Sequence, residues 1–276
     1  MNPRAAVIVG YGINCDYELA EAFKRAGASV DRIHLNDLLK GKVDLRQYHI
    51  IGFAGGFSFG DDAGAGNIFA KKIIYNEKTR EGLVQHLDDG KLIFGTCNGN
   101  QIATFMNLIP VDGKYFSEPE VAYSFNNSAR YEDRGNIHMK VISGMSHWLT
   151  GLEGSVLSNF AVGHGEGKFT PKDGETWGKV KAFDLVALKY VHADGTAANG
   201  EYPINPNSSL DDIAGLASKQ VLLLMPHPER AMTAYNQDGW TRRKSVLKRQ
   251  GLSLPDKGEG MLVFDNGVNY CRENLL

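Results

Sequence analysis

The sequence predicts an α/β fold: an open, mostly parallel sheet with helices on both faces and an inserted antiparallel layer. Over residues 1–110, short apolar runs alternate with helical patterns, as expected for a parallel sheet covered on both sides. Near residue 115 the pattern changes to short stretches of alternating polarity separated by Gly, Asn, Asp and Pro, which is typical of antiparallel strands. We expect residues 1–276 to form one domain, with the antiparallel insertion at about 115–200.

The first part of the chain contains four expected strands and four expected helices. The strands are short apolar runs at residues 5–10, 29–35, 48–54 and 91–95. The helices have apolar residues at helical spacing, at residues 16–26, 69–75, 79–87 and 98–108. In the first helix Asp16 is suited to cap the start, Phe23 lies on the apolar face and Gly27 follows the end.

The second part is expected to be strand-rich. Alternating stretches predict strands at residues 121–125, 137–142, 155–162 and 183–191. The run QVLLLM at 220–225 is a buried-type strand that can rejoin the main sheet, and residues 261–271 form a final helix. Residues 236–257 read as a basic insertion with positive charges at Arg242, Arg243, Lys244, Lys248 and Arg249. A solvated basic helix is favoured there over a docking surface.

Composition and charge exclude several classes of protein. With 42% hydrophobic and 22% charged residues, the 276-residue chain has the composition of a water-soluble globular protein. A formal charge of −2 gives no reason to expect nucleic acid or an anionic membrane as a partner, and no apolar run is long enough to span a membrane. Cys15, Cys97 and Cys271 form no C-x-x-C pair, so neither a metal site nor a disulfide framework is expected. A reducing, cytoplasmic location fits these cysteines best.

A cysteine stands at a sharp turn after the fourth expected strand. Gly95, Cys97 and Gly99 have the spacing G-x-C-x-G between a strand and a helix, which is the outline of a nucleophile elbow with Cys in place of Ser. The alternative is a small structural residue that fills a tight turn. A thiol is mostly protonated at pH 7, so a catalytic Cys97 needs a neighbouring base.

The end of the strand at 220–225 supplies such a base. Pro226 and Pro228 hold His227 extended between them, and His227 and Glu229, two residues apart, then project to the same side. A carboxylate beside an imidazole fixes its tautomer and stabilises its protonated form. Because active sites in open α/β sheets gather at the carboxyl ends of strands, we expect a Cys97–His227–Glu229 triad.

A glycine pair after the third expected strand completes the candidate site. The N–H of Gly56 and that of Asn98, directly after Cys97, are suited to form an oxyanion hole, although Gly55-Gly56 also fits a simple tight turn. Cys15 and Cys271 are interpreted as structural. The stretch Gly10-x-Gly12 lacks the third glycine of a dinucleotide site, and no phosphate-binding loop of the ATP-binding type occurs in the chain.

Taken together, these stretches resemble the class I, triad-type glutamine amidotransferases, which have a flavodoxin-like fold. More narrowly, they resemble the glutaminase components of phosphoribosylformylglycinamidine synthase. The matching stretches run in the family's order from residue 5 to about 231: NCD at 14–16, GGFSFGD at 55–61, CNGNQ at 97–101, HGEG at 164–167, NPNSS at 205–209, IAG at 213–215 and MPHPER at 225–230.

The resemblance implies a role for each matched residue. Cys97 would attack the side-chain amide of glutamine, and His227, oriented by Glu229, would transfer the proton. Gln101 and Gly55 would contact the glutamine. The stretch that contains His164 and Glu166 would face the partner or the mouth of the site. No metal and no cofactor is implied for this chain.

The resemblance also implies partners. Glutamine is the small-molecule substrate, and the ammonia would pass to a separate synthetase subunit that carries ATP and Mg²⁺ and acts on formylglycinamide ribonucleotide in purine biosynthesis. The resemblance also allows a small third subunit in the complex. Two other hypotheses remain open: a stand-alone thiol hydrolase of another amide or ester, and a non-enzymatic relative with a redox-sensitive cysteine. A non-enzymatic relative would not need both His227 and Glu229.

Overall fold

A nine-stranded sheet runs through the centre of the molecule, in a computed structural model that describes all of residues 1–276. Its strands are β1 (Arg4–Val9), β2 (Ser29–His34), β3 (Ile50–Phe53), β4 (Leu92–Thr96), β6 (Glu132–Val141), β7 (Val156–His164), β9 (Val186–Val191), β10 (Ile213–Ala217) and β11 (Val221–Leu224). Their spatial order is β2-β1-β3-β4-β11-β10-β9-β6-β7. The first five strands are parallel, and the pairs from β11 to β7 are antiparallel. The predicted fold class is confirmed.

Eight helices flank this sheet. They are α1 (Asp16–Arg25), α2 (Leu35–Leu39), α3 (Asn67–Ile74), α4 (Glu77–Asp88), α5 (Asn98–Phe105), α6 (Gly174–Ala182), α7 (Trp240–Arg249) and α8 (Met261–Asn274). Helices α1 and α8 bury their apolar residues on one face of the sheet, and α3, α4 and α5 bury theirs on the other. The sheet therefore separates two hydrophobic cores.

An aromatic cluster fills the core beneath α1 and α8. The rings of Phe23, Phe94 and Phe264 meet pairwise at centroid distances of 5.2–6.2 Å, and Trp148 lies 5.3 Å from Phe94. All four side chains are fully buried. Each such side chain contributes about 2–3 kcal/mol through burial, so the cluster anchors the C-terminal helix to the strand that precedes Cys97.

The inserted segment extends the sheet on one side. Strands β6, β7 and β9 continue the main sheet in antiparallel fashion, while β5 (Val121–Ser124) pairs separately with β8 (Lys168–Pro171). The strand predicted at 183–191 begins only at Val186, because α6 continues through Ala182 and Phe183 caps its end. Helix α6 and strand β10 were not predicted. Helix α7 lies in the basic insertion and contains no buried residue.

None of the helices combines the length and the apolar character required to cross a membrane.

Candidate active site

Cys97 occupies a sharp turn between the central strand β4 and helix α5. Its backbone has φ 51° and ψ −115°, and its side chain is 4% exposed. Such a conformation is strained for a residue with a side chain and is typical of a nucleophile held by its surroundings. The turn needs small neighbours. A side-chain carbon on Gly99 would overlap the carbonyl oxygen of Phe53, and one on Gly95 would lie 2.8 Å from Leu223.

His227 and Glu229 follow the adjacent strand β11. The Nδ1 atom of His227 lies 2.6 Å from Oε1 of Glu229, and the side chains are 1% and 0% exposed. The backbone N–H of His227 donates to the carbonyl of Ala161, so β7 holds this segment from the other side. Burial alone would lower the pKa of His227. The negative charges of Glu229 and of a Cys97 thiolate outweigh that effect and raise the pKa well above its ordinary value, which favours an imidazolium ion in the site.

Cys97 and His227 meet across Gly55. A side-chain carbon on Gly55 would lie 2.9 Å from Cε1 of His227 and 3.3 Å from Cβ of Cys97, so only glycine leaves room for both. The thiol of Cys97 donates to the carbonyl of Gly163 at 3.4 Å. The parallel pairing of β4 and β11 produces this meeting, because their carboxyl ends reach the same edge of the sheet with Thr96 opposite Leu224.

The backbone N–H groups of Gly56 and Asn98 donate no hydrogen bond within the chain. The residues on either side of Gly56 make the backbone hydrogen bonds of this loop. The N–H of Phe57 donates to the carbonyl of Gly12 at 2.7 Å, and the carbonyl of Gly55 accepts from the N–H of Asn14 at 3.2 Å. Gly56 has φ 149°, and a side-chain carbon there would lie 2.6 Å from the Gly12 carbonyl. Asn98 begins helix α5, where the first N–H groups have no partner within the helix. The two N–H groups expected to form an oxyanion hole are therefore free to bind an anion.

Comparison with known proteins identifies the family. Residues 2–271 match the CobB/CobQ-like glutamine amidotransferase domain. The chain is a glutamine amidotransferase of this family. Two proteins named phosphoribosylformylglycinamidine synthase subunit PurQ, from Methanococcus maripaludis strains S2 and C5, are 39% and 38% identical to it, over 97% and 98% of this chain and 97% and 99% of theirs. The structure of PurLQS from Thermotoga maritima matches with a TM-score of 0.69 and 26% identity, over 98% of this chain and 99% of that chain.

A polar network lines one side of the amidotransferase site. The Asn98 amide accepts from the backbone N–H of Ser58 at 3.1 Å and donates to Oε1 of Gln101 at 3.0 Å. Gln101 donates to the backbone carbonyl of Glu166. Burial, and then the negative charge of Glu166, raise the pKa of Asp61 to about 6. Asp61 accepts from the Asn98 amide at 3.3 Å, so Asp61 and Glu166 both border this network.

His164 is buried in the structure, whereas Glu166 is partly exposed. His164 is 3% exposed, and neither of its ring nitrogens has a hydrogen-bond partner. Burial, and then the charge of His227, lower the pKa of His164 to about 3, so this ring is neutral. The side chain therefore faces the interior and not a partner surface. Glu166 is partly exposed, and its Oε2 accepts from the N–H of Ala65 at 3.2 Å.

Cys15 lies beside the triad, although the sequence analysis interpreted it as structural. Its Sγ, a nitrogen of His227 and a carboxylate oxygen of Glu229 all lie within 4.8 Å of one another. Sulfur, nitrogen and oxygen donors suit a zinc ion. However, the guanidinium of Arg230 donates to the same sulfur at 3.0 Å, and a positive charge there disfavours a second cation. Cys15 stands at the end of the loop that joins β1 to α1, at the same edge of the sheet as Cys97, and no local pattern in the sequence marks its approach to the triad.

Proposed function

We propose that this chain is the glutaminase subunit of phosphoribosylformylglycinamidine synthase. It hydrolyses glutamine to glutamate and delivers ammonia to an ATP-dependent synthetase subunit, which converts formylglycinamide ribonucleotide to formylglycinamidine ribonucleotide in purine biosynthesis. The observation that carries the proposal is the buried set of Cys97, His227 and Glu229 after the paired strands β4 and β11. The relatives named PurQ, similar over 97% of the chain or more, support the particular reaction.

The chemistry follows from this geometry. Cys97 attacks the side-chain amide carbon of glutamine as a thiolate, and the proton from its thiol resides on His227. The N–H groups of Gly56 and Asn98 stabilise the tetrahedral oxyanion, and removing one such donor typically costs about 100-fold or more in rate. His227 then protonates the leaving nitrogen, ammonia departs and a thioester remains. Water, deprotonated by His227, cleaves the thioester to glutamate and restores the thiol.

Glu229 supplies the counter-charge for these proton transfers. It is fully buried at 2.6 Å from Nδ1 of His227, so it holds the proton on Nδ1 and leaves Nε2 free to accept the proton of Cys97. A negative group in a dry site stabilises the imidazolium that forms in both halves of the reaction.

Glutamine binding is assigned to the polar network beside the elbow. Gly55 allows the substrate to approach the thiol closely, and Gln101 contacts its polar end. The carboxyl groups of Asp61 and Glu166 suit the α-ammonium group of glutamine, since burial, and then the charge of Glu166, disfavour a charged Asp61 until a cation arrives.

The remaining reaction belongs to a partner. We assign ATP and Mg²⁺ to the synthetase subunit, leave this chain without a cofactor, and allow a small third subunit in the complex. The name PurLQS of the Thermotoga maritima structure supports a multi-subunit assembly. We place the chain in the cytoplasm, where reducing conditions keep Cys97 a free thiol.

Labelling with a glutamine-mimicking diazoketone tests the proposal. We expect a single adduct on Cys97 by peptide mapping, prevented by excess glutamine, with the chain alone or in its complex. In the complex, Cys97→Ala should abolish glutamine-dependent synthesis and leave ammonia-dependent synthesis intact. Turnover of other amides or esters without a synthetase would favour a stand-alone hydrolase instead. Loss of both synthetic activities would contradict a purely glutaminase role.

A further inference from the structure

Phe57 and Tyr131 form a half-exposed aromatic pair beside Cys97. Their ring centroids lie 5.8 Å apart, and the two residues are 40% and 49% exposed. Single exposed apolar residues are common on protein surfaces and need no explanation. Two aromatic residues from separate parts of the chain that meet next to the proposed nucleophile do need one, and no step of the chemistry above uses either ring.

Two glycines lie against Cys97, and each is adjacent to one member of the pair. A side-chain carbon on Gly55 would lie 3.3 Å from Cβ of Cys97, and Phe57 follows two residues later in the loop after β3. On the other side, the carbonyl of Gly163 in β7 accepts from the thiol at 3.4 Å. A side-chain carbon on Gly163 would lie 2.9 Å from the hydroxyl of Tyr131. The two rings therefore meet across the gap between the loop after β3 and the end of β7, and Cys97 lies against both sides of this gap.

Both aromatic residues are attached to well-anchored backbone. The N–H of Phe57 donates to the carbonyl of Gly12 at 2.7 Å. Tyr131 directly precedes Glu132, a 4% exposed side chain that accepts from the guanidinium of Arg134 at 2.8 Å. The rings themselves are joined only by their contact. Such a pair contributes about 0.5–1.5 kcal/mol beyond its buried area, so it can part when a substrate enters.

Cys97 needs an entrance of this kind, because its side chain is only 4% exposed and glutamine must reach it from solvent. The hydroxyl of Tyr131 stays protonated there. Burial, and then the negative charge of a Cys97 thiolate, raise the pKa of Tyr131 to about 12. The pair therefore presents two uncharged rings to an incoming molecule at neutral pH.

We infer that Phe57 and Tyr131 are specificity-determining residues, whose rings narrow the entrance to Cys97 to the width of an unbranched side chain such as that of glutamine. The inference rests on the proposed glutaminase function. Wider molecules with an equally reactive group are kept from the thiol by the shape of the entrance, before any difference in chemistry matters.

The rates at which iodoacetamide and the wider N-ethylmaleimide modify Cys97 test this role, measured on the full chain by peptide mapping. Tyr131→Ala should raise the rate with N-ethylmaleimide by about tenfold or more and the rate with the slender iodoacetamide by less than about threefold, because one misfitting group in a pocket costs about 10–200-fold. Tyr131→Phe keeps the ring and should leave both rates unchanged. Tyr235→Ala is the matched control. Tyr235 is 51% exposed and also pairs with an aromatic ring, that of Trp240 at 5.1 Å, so its loss should change neither rate.

Phe57→Ala opens the same gap from the opposite side, and it keeps the proposal testable if Tyr131→Ala does not fold. It should also accelerate N-ethylmaleimide more than iodoacetamide, by about tenfold. Equal acceleration with both reagents, or unchanged rates in both variants, would overturn the proposal. Unchanged rates together with weaker binding of the synthetase would overturn it in favour of a docking surface. Failure of glutamine to protect Cys97 in the unmodified chain would instead contradict the glutaminase function.

Discussion

Replacing Gly99 by alanine should reduce the rate of catalysis strongly and the stability of the fold by a comparable free energy. A side-chain carbon at this position would overlap the carbonyl oxygen of Phe53 and lie 3.0 Å from that of Ala54. Both atoms belong to the backbone at the end of β3, so no rotation of a side chain can relieve the overlap. Helix α5 and β3 must move apart instead, and Cys97 and Asn98 move with the helix.

The size of the effect follows from that displacement. Relief requires a shift of about 1 Å, and a 1 Å misplacement of a reacting group can cost about 100-fold in rate. We therefore expect kcat/KM for glutamine hydrolysis to fall about 100-fold or more. Overpacking of this kind costs about 1–3 kcal/mol. For a chain of this size the melting temperature should then fall by about 3–10 °C.

The assay compares Gly99→Ala with Gly178→Ala. Gly178 lies within α6, with no atom near enough to meet an added carbon, so alanine there should raise stability by about 0.4–1 kcal/mol and leave activity unchanged. Glutamate release by the complex and differential scanning calorimetry measure the two quantities. If the Gly99→Ala variant kept the kcat/KM of the wild type, the close approach of Gly99 to the backbone of β3 would not be what fixes the turn at Cys97.

Three further predictions concern charge. Glu229→Gln should lower the pKa of His227 and reduce kcat/KM by about 100-fold or more. NMR titration of the imidazole Cε1–H measures the pKa, and steady-state kinetics measure kcat/KM. An unshifted titration would contradict the role of Glu229. Asp61→Asn should weaken glutamine binding, seen as a raised KM, yet raise the melting temperature. Since burial raises the pKa of Asp61 to about 6, its charge destabilises the folded state above pH 6, and this penalty is lost as the pH falls toward the ordinary 3.8. The gain should thus be present at pH 8 and absent near pH 4, and a gain independent of pH would exclude this cause. Reversing the charges of Arg242, Arg243 and Lys244 should change neither the melting temperature nor the affinity for the synthetase, because α7 buries no residue; weaker, salt-sensitive binding in a titration would show that the helix docks.

The triad could be predicted from the sequence because Cys97 directly follows one strongly apolar strand, and His227 and Glu229 come shortly after another. Gly95 and Gly99 flank Cys97 within four residues, and Pro226 and Pro228 flank His227, so local patterns alone fix the conformations. The meeting of the two segments needs only the rule that parallel strands expose their carboxyl ends at one edge.

The position of Cys15 beside the triad could not be predicted in the same way. Its approach to Glu229 depends on the strand order and on the path of the loop after β1, and neither leaves a local signature. The same holds for the inserted strands, whose partners lie far away in sequence, as with His138 opposite Val191. The stretch that contains His164 was expected to face the partner or the mouth of the site because of the family resemblance. The burial of His164 results from nonlocal packing, shown by Asn126, which donates to its backbone carbonyl from 38 residues away.

The central position of β4 and β11 has a consequence for how the molecule loses activity. These two strands are the fourth and fifth of nine, fully buried and paired on both sides. Backbone amides in such strands exchange with solvent only through global opening, whereas exposed helices open locally at little cost. Deuterium should therefore enter α7 within seconds and β4 last of all. Under denaturant, the glutaminase should lose activity only when the whole fold is lost, so that inactivation and unfolding report the same event.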